Sequence, residues 1–182
     1  MSTGICREYY INNRLKSTCF YVGGKREGIL MTYHYNGKIH NIYNYINDGL
    51  EGECLEYNID GSINIRCSYK QNKLDGTYYE YYAMGQLMIS IEYIMNQRTG
   101  RYMHFHINGR LMTLCSFIND KLDGPYYRYD FQGRLIIECT YKEGKKEGLY
   151  KTMDYTVDVC MICEYKNDEQ ISVAYEKPIN NP

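Results

Sequence analysis

Residues 73–82 read KLDGTYYEYY and residues 121–130 read KLDGPYYRYD, nearly the same ten residues 48 positions apart. Such a phrase is either a duplicated binding loop or one sample of a pattern that runs through the whole chain. The glycines decide between the two. They fall at 4, 28, 52, 76, 100, 124 and 148, every step 24 residues, with no insertion or deletion. A second series follows nine residues later at Gly37, Gly61, Gly85, Gly109 and Gly133, with Asn13 and Val157 in the equivalent places of the first and last units. A fixed period of this length is the signature of a stacked repeat array.

Side chains follow the same period. One aromatic column runs Tyr9, Tyr33, Tyr57, Tyr81, Phe105, Tyr129, and a second runs Tyr21, Tyr45, Tyr69, Tyr93, Phe117, Tyr141, Tyr165. An aliphatic column lies between them: Leu15, Ile39, Ile63, Leu87, Leu111, Leu135, Val159. Segments such as TYYEYY and LMISIEY are rich in aromatic and β-branched residues and are bounded by glycine-bearing turns, which reads as two short strands per unit. Two glycines in every unit would weaken a helix. The chain is therefore expected to be all-β: an elongated, single-layer, solenoid-like antiparallel meander of about fourteen strands. Its seven hairpin repeats are 3–26, 27–50, 51–74, 75–98, 99–122, 123–146 and 147–170, and residues 171–182 form a capping segment and polar tail in which Pro178 ends an edge strand. Its structural residues are the repeat glycines Gly28, Gly37, Gly52, Gly61, Gly76, Gly85, Gly100, Gly109, Gly124, Gly133 and Gly148.

The turns can be read further. All the apolar columns fall on odd numbers, and side chains alternate between the faces of a strand. If odd residues share one face, each hairpin needs an odd-numbered loop. A three-residue turn with left-handed glycine at its third position satisfies this. An odd link of about five residues between units, carrying Lys-Leu-Asp-Gly, would preserve the parity. The first glycine of each unit, Gly28 and Gly100 included, is then expected in that link, outside the strands.

The pattern G-x-Y-x-x-Y-x-x-x-G-x-L, followed by a distal Tyr and an NxK-x-x-G link, resembles MORN repeats. More closely it is similar to the tryptophan-poor variant of bacterial antitoxin-like proteins and giant DNA virus proteins. The resemblance spans residues 3–170, and the chain has no tryptophan. It implies a scaffold fold with an interaction role and no catalytic residues.

Composition narrows the function classes. A net charge of −1 lacks the basic excess of a nucleic-acid binder. The start, MSTGICREYY, has no apolar signal segment, which points to the cytoplasm, that of an infected host cell if the chain is viral. Eight cysteines are then read as reduced thiols. Cys19, Cys67, Cys115, Cys139 and Cys163 share one column, with successive equivalents about 9.5 Å apart, beyond disulfide reach. Cys6 and Cys54 are even-numbered and are expected to face away from it, as are the thiols of Cys160 and Cys163 from each other. His34, His40, His104 and His106 are read as solvated, and no metal site or cofactor is expected. Cations after the turns (Arg14, Lys38, Arg110, Arg134) and in the links (Lys25, Lys73, Lys121, Lys145) alternate with acids along the rims.

The even face holds the candidate binding surface. Tyr78, Tyr102, Tyr126 and Tyr150 form a row there with Tyr82, and tyrosine is favoured at recognition surfaces. The expected function is non-enzymatic: a scaffold binding a protein partner, including a second copy of the chain. The alternatives are a peripheral module on anionic lipid and an antitoxin-like protein that neutralises its partner.

Overall fold

The computed structural model describes residues 3–172 and 175–178. Among them no helix occurs, every paired strand is antiparallel, and the meander expected from the repeat is observed. Among the described residues no helix is long and apolar enough to cross a membrane. The chain divides into two compact units, one holding the residues up to 87 with 93–96, the other 88–92 with 97 onward.

In the first unit the long strands are Gly4–Tyr9, Leu15–Val22, Lys25–Tyr33, Ile39–Ile46, Gly52–Tyr57, Ile63–Lys70 and Gly76–Tyr81. In the second they are Gln97–Phe105, Leu111–Ile118, Gly124–Tyr129, Leu135–Lys142, Gly148–Asp154 and Val159–Lys166. Strand Leu87–Ile94 divides its residues between the units. In the second unit the terminal strand Tyr175–Pro178 pairs with Val159–Ile162 and ends, as expected, on the proline that has no N–H to offer. Residues 173–174 and 179–182 of the capping segment lie outside the described residues.

Every hairpin turn but the last has three residues. In the second hairpin the Gly37 amide donates to the His34 carbonyl at 2.8 Å and the His34 amide to the Lys38 carbonyl at 2.8 Å. Gly37 takes φ 90°, where a Cβ is disfavoured. Asn13 takes the equivalent place at φ 62°, as asparagine can.

The face assignment from parity is overturned two residues further on. Tyr9 pairs with Leu15, but Glu8 pairs with Ser17, so Lys16 is an extra residue and the register shifts by one. The same shift follows Phe105/Leu111 and Tyr129/Leu135. Such a bulge sets two residues against one. Beyond it, even residues of the first strand oppose odd residues of the second: Cys6 with Cys19, Tyr102 with Cys115, Tyr126 with Cys139. Numbering parity therefore does not mark a face through the whole hairpin.

The last hairpin shows what installs the bulge. Val157 replaces the left-handed glycine there, the loop lengthens to residues 155–158, and pairing runs without a shift from Gly148↔Tyr165 to Asp154↔Val159.

The links also differ from the five-residue expectation. Each is a two-residue turn with both residues left-handed, for example Asn47 and Asp48 at φ 51° and 66°, flanked by the pair Ile46↔Gly49. Two-residue turns of this kind match the strand twist. Lys73-Leu74 is therefore paired strand, opposite Lys70 and Tyr69. Asp75-Gly76 interrupts the ladder, with Gly76 at φ 111°. The phrase is a ladder segment ending in a bulge rather than a loop.

Gly28 and Gly100 depart furthest from the expected place in a link. Each lies inside an unbroken strand, Gly28 within Lys25–Tyr33 and Gly100 within Gln97–Phe105. Gly28 opposes Tyr45 and Gly100 opposes Phe117, so both belong to the hairpin ladder. They are left-handed all the same, at φ 77° and 63°. Beside Gly28 the pairing with the preceding strand shifts register between Thr18 and Phe20. Gly28 therefore bends a continuous strand through its bulge instead of separating two strands, and Gly100 is left-handed within a strand that is likewise unbroken. At Gly100 a side chain meets a second obstacle, because an added Cβ would collide with the Glu92 carboxylate.

The residue before the first glycine of each repeat, from Gly28 to Gly148, is an acid, except Thr99 before Gly100. The Asp75 carboxylate accepts the Met95 amide of the following turn at 3.2 Å, as Glu27 accepts Asn47 at 2.9 Å and Glu51 accepts Gln71 at 2.9 Å. In the second unit Asp123 and Glu147 do the same for Glu143 and Asn167, both at 3.0 Å. The second turn residue reaches back: Asn72 Oδ1 accepts the Leu50 amide at 2.8 Å and the Asn72 amide donates to the Leu50 carbonyl at 3.1 Å. In the first unit the turns at Asn47, Gln71 and Met95 are thus each tied to the preceding link on both sides.

Candidate interaction surfaces

One face of the hairpins forms the core, and the cysteines lie in it. Cys19, Cys67, Cys115 and Cys139 are buried, as are Tyr45 and Phe117 two residues beyond the same column. In a single layer of strands nothing but side chains of the same face can cover a buried residue. Large rings leaning over small thiols supply that cover. In the second unit the Tyr126 ring meets the Tyr141 ring edge-on at 5.7 Å, Tyr150 meets Tyr165 at 5.6 Å, and Tyr102 meets Phe117 at 5.9 Å. In the first unit Tyr78 meets Tyr93 at 6.1 Å. The four tyrosines read from the sequence as facing away from the cysteines therefore share their face, and each is half-buried. Burial pushes the Cys115 and Cys139 thiols up to about 11 and the Tyr141 hydroxyl up to about 12, so all three are neutral at physiological pH.

Cys6 and Cys54 likewise turn toward Cys19 and Cys67 as direct cross-strand partners. The hydrogen bond with Cys54 and burial together hold the Cys67 thiol far above its ordinary value. Cys160 and Cys163 do lie on opposite faces, since they oppose Met153 and Tyr150, three residues apart. Residue sizes across the paired positions are complementary in the second hairpin, Leu30 against Tyr43. The first hairpin sets two small residues, Cys6 and Cys19, against each other, and no described strand precedes it. A cavity of about 360 Å³ lies there, lined among others by Cys6, Cys19, Glu8, Lys16, Arg26 and His40.

The histidines are not simply solvated. His34 Nε2 donates to the Tyr57 carbonyl at 2.8 Å, and His106 Nε2 to the Tyr129 carbonyl at 3.1 Å. Tyr10 Oη does the same to the Tyr33 carbonyl at 2.6 Å. These residues occupy one repeat position beside the hairpin turn, and Tyr82 occupies it too, with an interaction of its own. The His34 and His40 rings lie 4.2 Å apart. Burial and then His34 lower the His40 pKa; burial, then His106 and Arg128, lower that of His104. The turn cations serve the same rim: Arg14 Nη1 donates to the Tyr35 carbonyl at 2.9 Å, Lys38 Nζ to Asp60, and Arg110 Nη1 to Gln132.

One surface went unremarked in the sequence. The first residue of the hairpin loop is apolar and exposed: Ile11 fully, Tyr35 54% and Ile59 59% in the first unit; Ile107 48% and Phe131 49% in the second. Hairpin loops ordinarily favour Gly, Asn, Asp and Ser. The period of 24 applied to Ile11 would have revealed this column.

The geometry defines a class: β-hairpin repeats of one length, joined turn to turn at both rims and cored by small and aromatic residues on one face. The family model described as the MORN repeat variant matches residues 26–47 and 74–95. Two hairpins thus match that repeat, and the other hairpins up to the one that turns at Gly133 carry the same three-residue turn, which supports reading them as further copies of it. No curated protein matches it.

Proposed function

We propose that the chain is a non-enzymatic repeat scaffold that binds a protein partner along its apolar hairpin tips. The observation that supports this reading is the exposure of Ile11, Tyr35 and Ile59 at consecutive tips of the first unit. The Tyr35 ring lies 6.2 Å from that of Tyr10, yet all three side chains stay mostly in water, and an exposed apolar row marks an interaction site. Tyr78, Tyr102, Tyr126 and Tyr150 serve the partner only through the ring edges their packing leaves exposed, and Tyr82 lies beside the tips. A partner here is a second copy of the chain or another protein, the antitoxin-like case included.

Replacing Ile11, Tyr35 and Ile59 together by serine tests the reading, because exposed loop positions leave the fold intact. Sedimentation and pull-down with the unmodified chain as reference should show association lost. Association that persists unchanged overturns the proposal.

A second reading has its own support. Arg14, Lys38, Arg110 and Arg134 flank the same tips, and apolar residues beside cations suit an anionic membrane surface. Co-sedimentation with phosphatidylserine vesicles at low salt separates the two. Vesicle binding that the serine variant loses favours the membrane; no vesicle binding leaves the protein partner.

A further inference from the structure

We infer that Cys6 and Cys19 form a dithiol site that low-molecular-weight disulfides oxidise reversibly to a cross-strand disulfide. The two residues are direct partners in the first hairpin. Directly opposed residues of an antiparallel pair have Cα atoms about 4.5–5.5 Å apart, within the roughly 4.4–6.8 Å that a disulfide spans. Their exposures differ in the way that disulfide exchange requires. Cys6 is exposed and Cys19 is buried. The attacking thiolate has to meet its oxidant in solution, whereas the resolving thiol has only to reach the first sulfur. Both thiols line the cavity of about 360 Å³, which gives room to a mixed disulfide.

The steps balance. The Cys6 thiolate attacks one sulfur of an oxidant RSSR, breaking its S–S bond and expelling RS⁻, which takes up the proton Cys6 gave. Cys19 then attacks the Cys6 sulfur and expels the second RS⁻, which takes up the Cys19 proton. Two cysteine thiols are oxidised and one small disulfide is reduced to two thiols. A dithiol reductant reverses the sequence.

The chain carries its own control. Cys54 and Cys67 occupy the same two repeat positions and are also direct partners, yet they are only 1% and 6% exposed. Proximity without access predicts that this pair stays reduced in the folded protein. In the second unit the same two positions hold one cysteine per hairpin, as in Tyr126 with Cys139.

The test treats the reduced full chain with excess oxidised glutathione, quenches with acid, alkylates, and reads intact mass and peptide maps. The expected result is loss of two hydrogens, a link between the Cys6 and Cys19 peptides, and full reversal by dithiothreitol. Cys19→Ser should stop at a single glutathionyl group on Cys6, and Cys6→Ser should resist modification, with circular dichroism confirming that both variants fold. A stable glutathionyl adduct on Cys6 of the wild-type chain, or a Cys54–Cys67 link formed first, overturns the inference. So does an unmodified Cys6.

Discussion

Replacing Tyr126 by serine tests the reassignment of the tyrosine row to the core. Tyr126 opposes Cys139, which is 4% exposed, and its ring meets Tyr141 edge-on at 5.7 Å. A packed tyrosine buries about 150 Å² or more. At ~25 cal/mol per Å² that burial contributes about 3–4 kcal/mol, reduced by the residual compactness of the unfolded chain to about 2–3 kcal/mol. The edge-on ring pair adds about 0.5–1.5 kcal/mol, so the expected loss is about 3 kcal/mol. Urea unfolding followed by far-ultraviolet circular dichroism would read it as a lower midpoint at unchanged slope. In parallel, Cys139 should become more reactive toward a thiol reagent, since Tyr126 is its direct cross-strand partner. A loss below about 0.5 kcal/mol, the range of ordinary surface substitutions, with Cys139 still protected, would refute the packing argument.

Gly37→Val should destabilise by at least about 1–2 kcal/mol, because the left-handed backbone itself disfavours a side chain, while Gly37→Asn costs less. The open space around an added Cβ there leaves the backbone as the cause, and thermal unfolding reads the difference. Thr99 interrupts the acid column Glu27, Glu51, Asp75, Asp123, Glu147. Thr99→Asp should supply the missing acceptor for the Asn119 turn and raise stability by about 0.5–1.5 kcal/mol, measured by urea midpoint. His40 and His104 have pKa values lowered from 6.5, so the fold binds fewer protons than the unfolded chain. Stability is then intact above pH 6.5 and falls as pH drops from there through the lowered values. His40→Gln with His104→Gln should flatten that dependence; a slope unchanged by both would remove these histidines as its source.

The period of the glycines was sufficient to read the hairpins, the odd numbering of the apolar columns pointed to three-residue turns, and Pro178 marked the end of the final edge strand. The faces were not legible, for a physical reason. Alternation reports a face only while pairing continues without interruption, and one extra residue at Lys16 or its equivalents inverts it. No residue type marks that position: Lys16, His40 and Met112 all occupy it. The signal was instead in the turn, where a left-handed glycine or asparagine accompanies the bulge and Val157 its loss. The links misled in another way. Glycine at 28 and 100 reads as punctuation between strands, yet a left-handed residue also fits a bulge inside one. Residues such as Gln71, Met95 and Glu143 adopt φ near 50°, a conformation that composition alone would not assign to them. They are held there by the carboxylates of Glu51, Asp75 and Asp123, contacts that span 20 residues.

Those rim bonds have a consequence for how such a chain changes length. They join residues 20, 22 or 23 positions apart, and they use mostly backbone groups and short side chains at the turns. None depends on what stands in the middle of the strands. Excision or duplication of a whole 24-residue block within one unit therefore brings together ends that already fit, whereas excision of half a block leaves every rim out of phase. The molecule is in this sense cut to measure by the gene: copy number sets its reach, and the strand centres remain free to diverge toward whatever each copy has to contact.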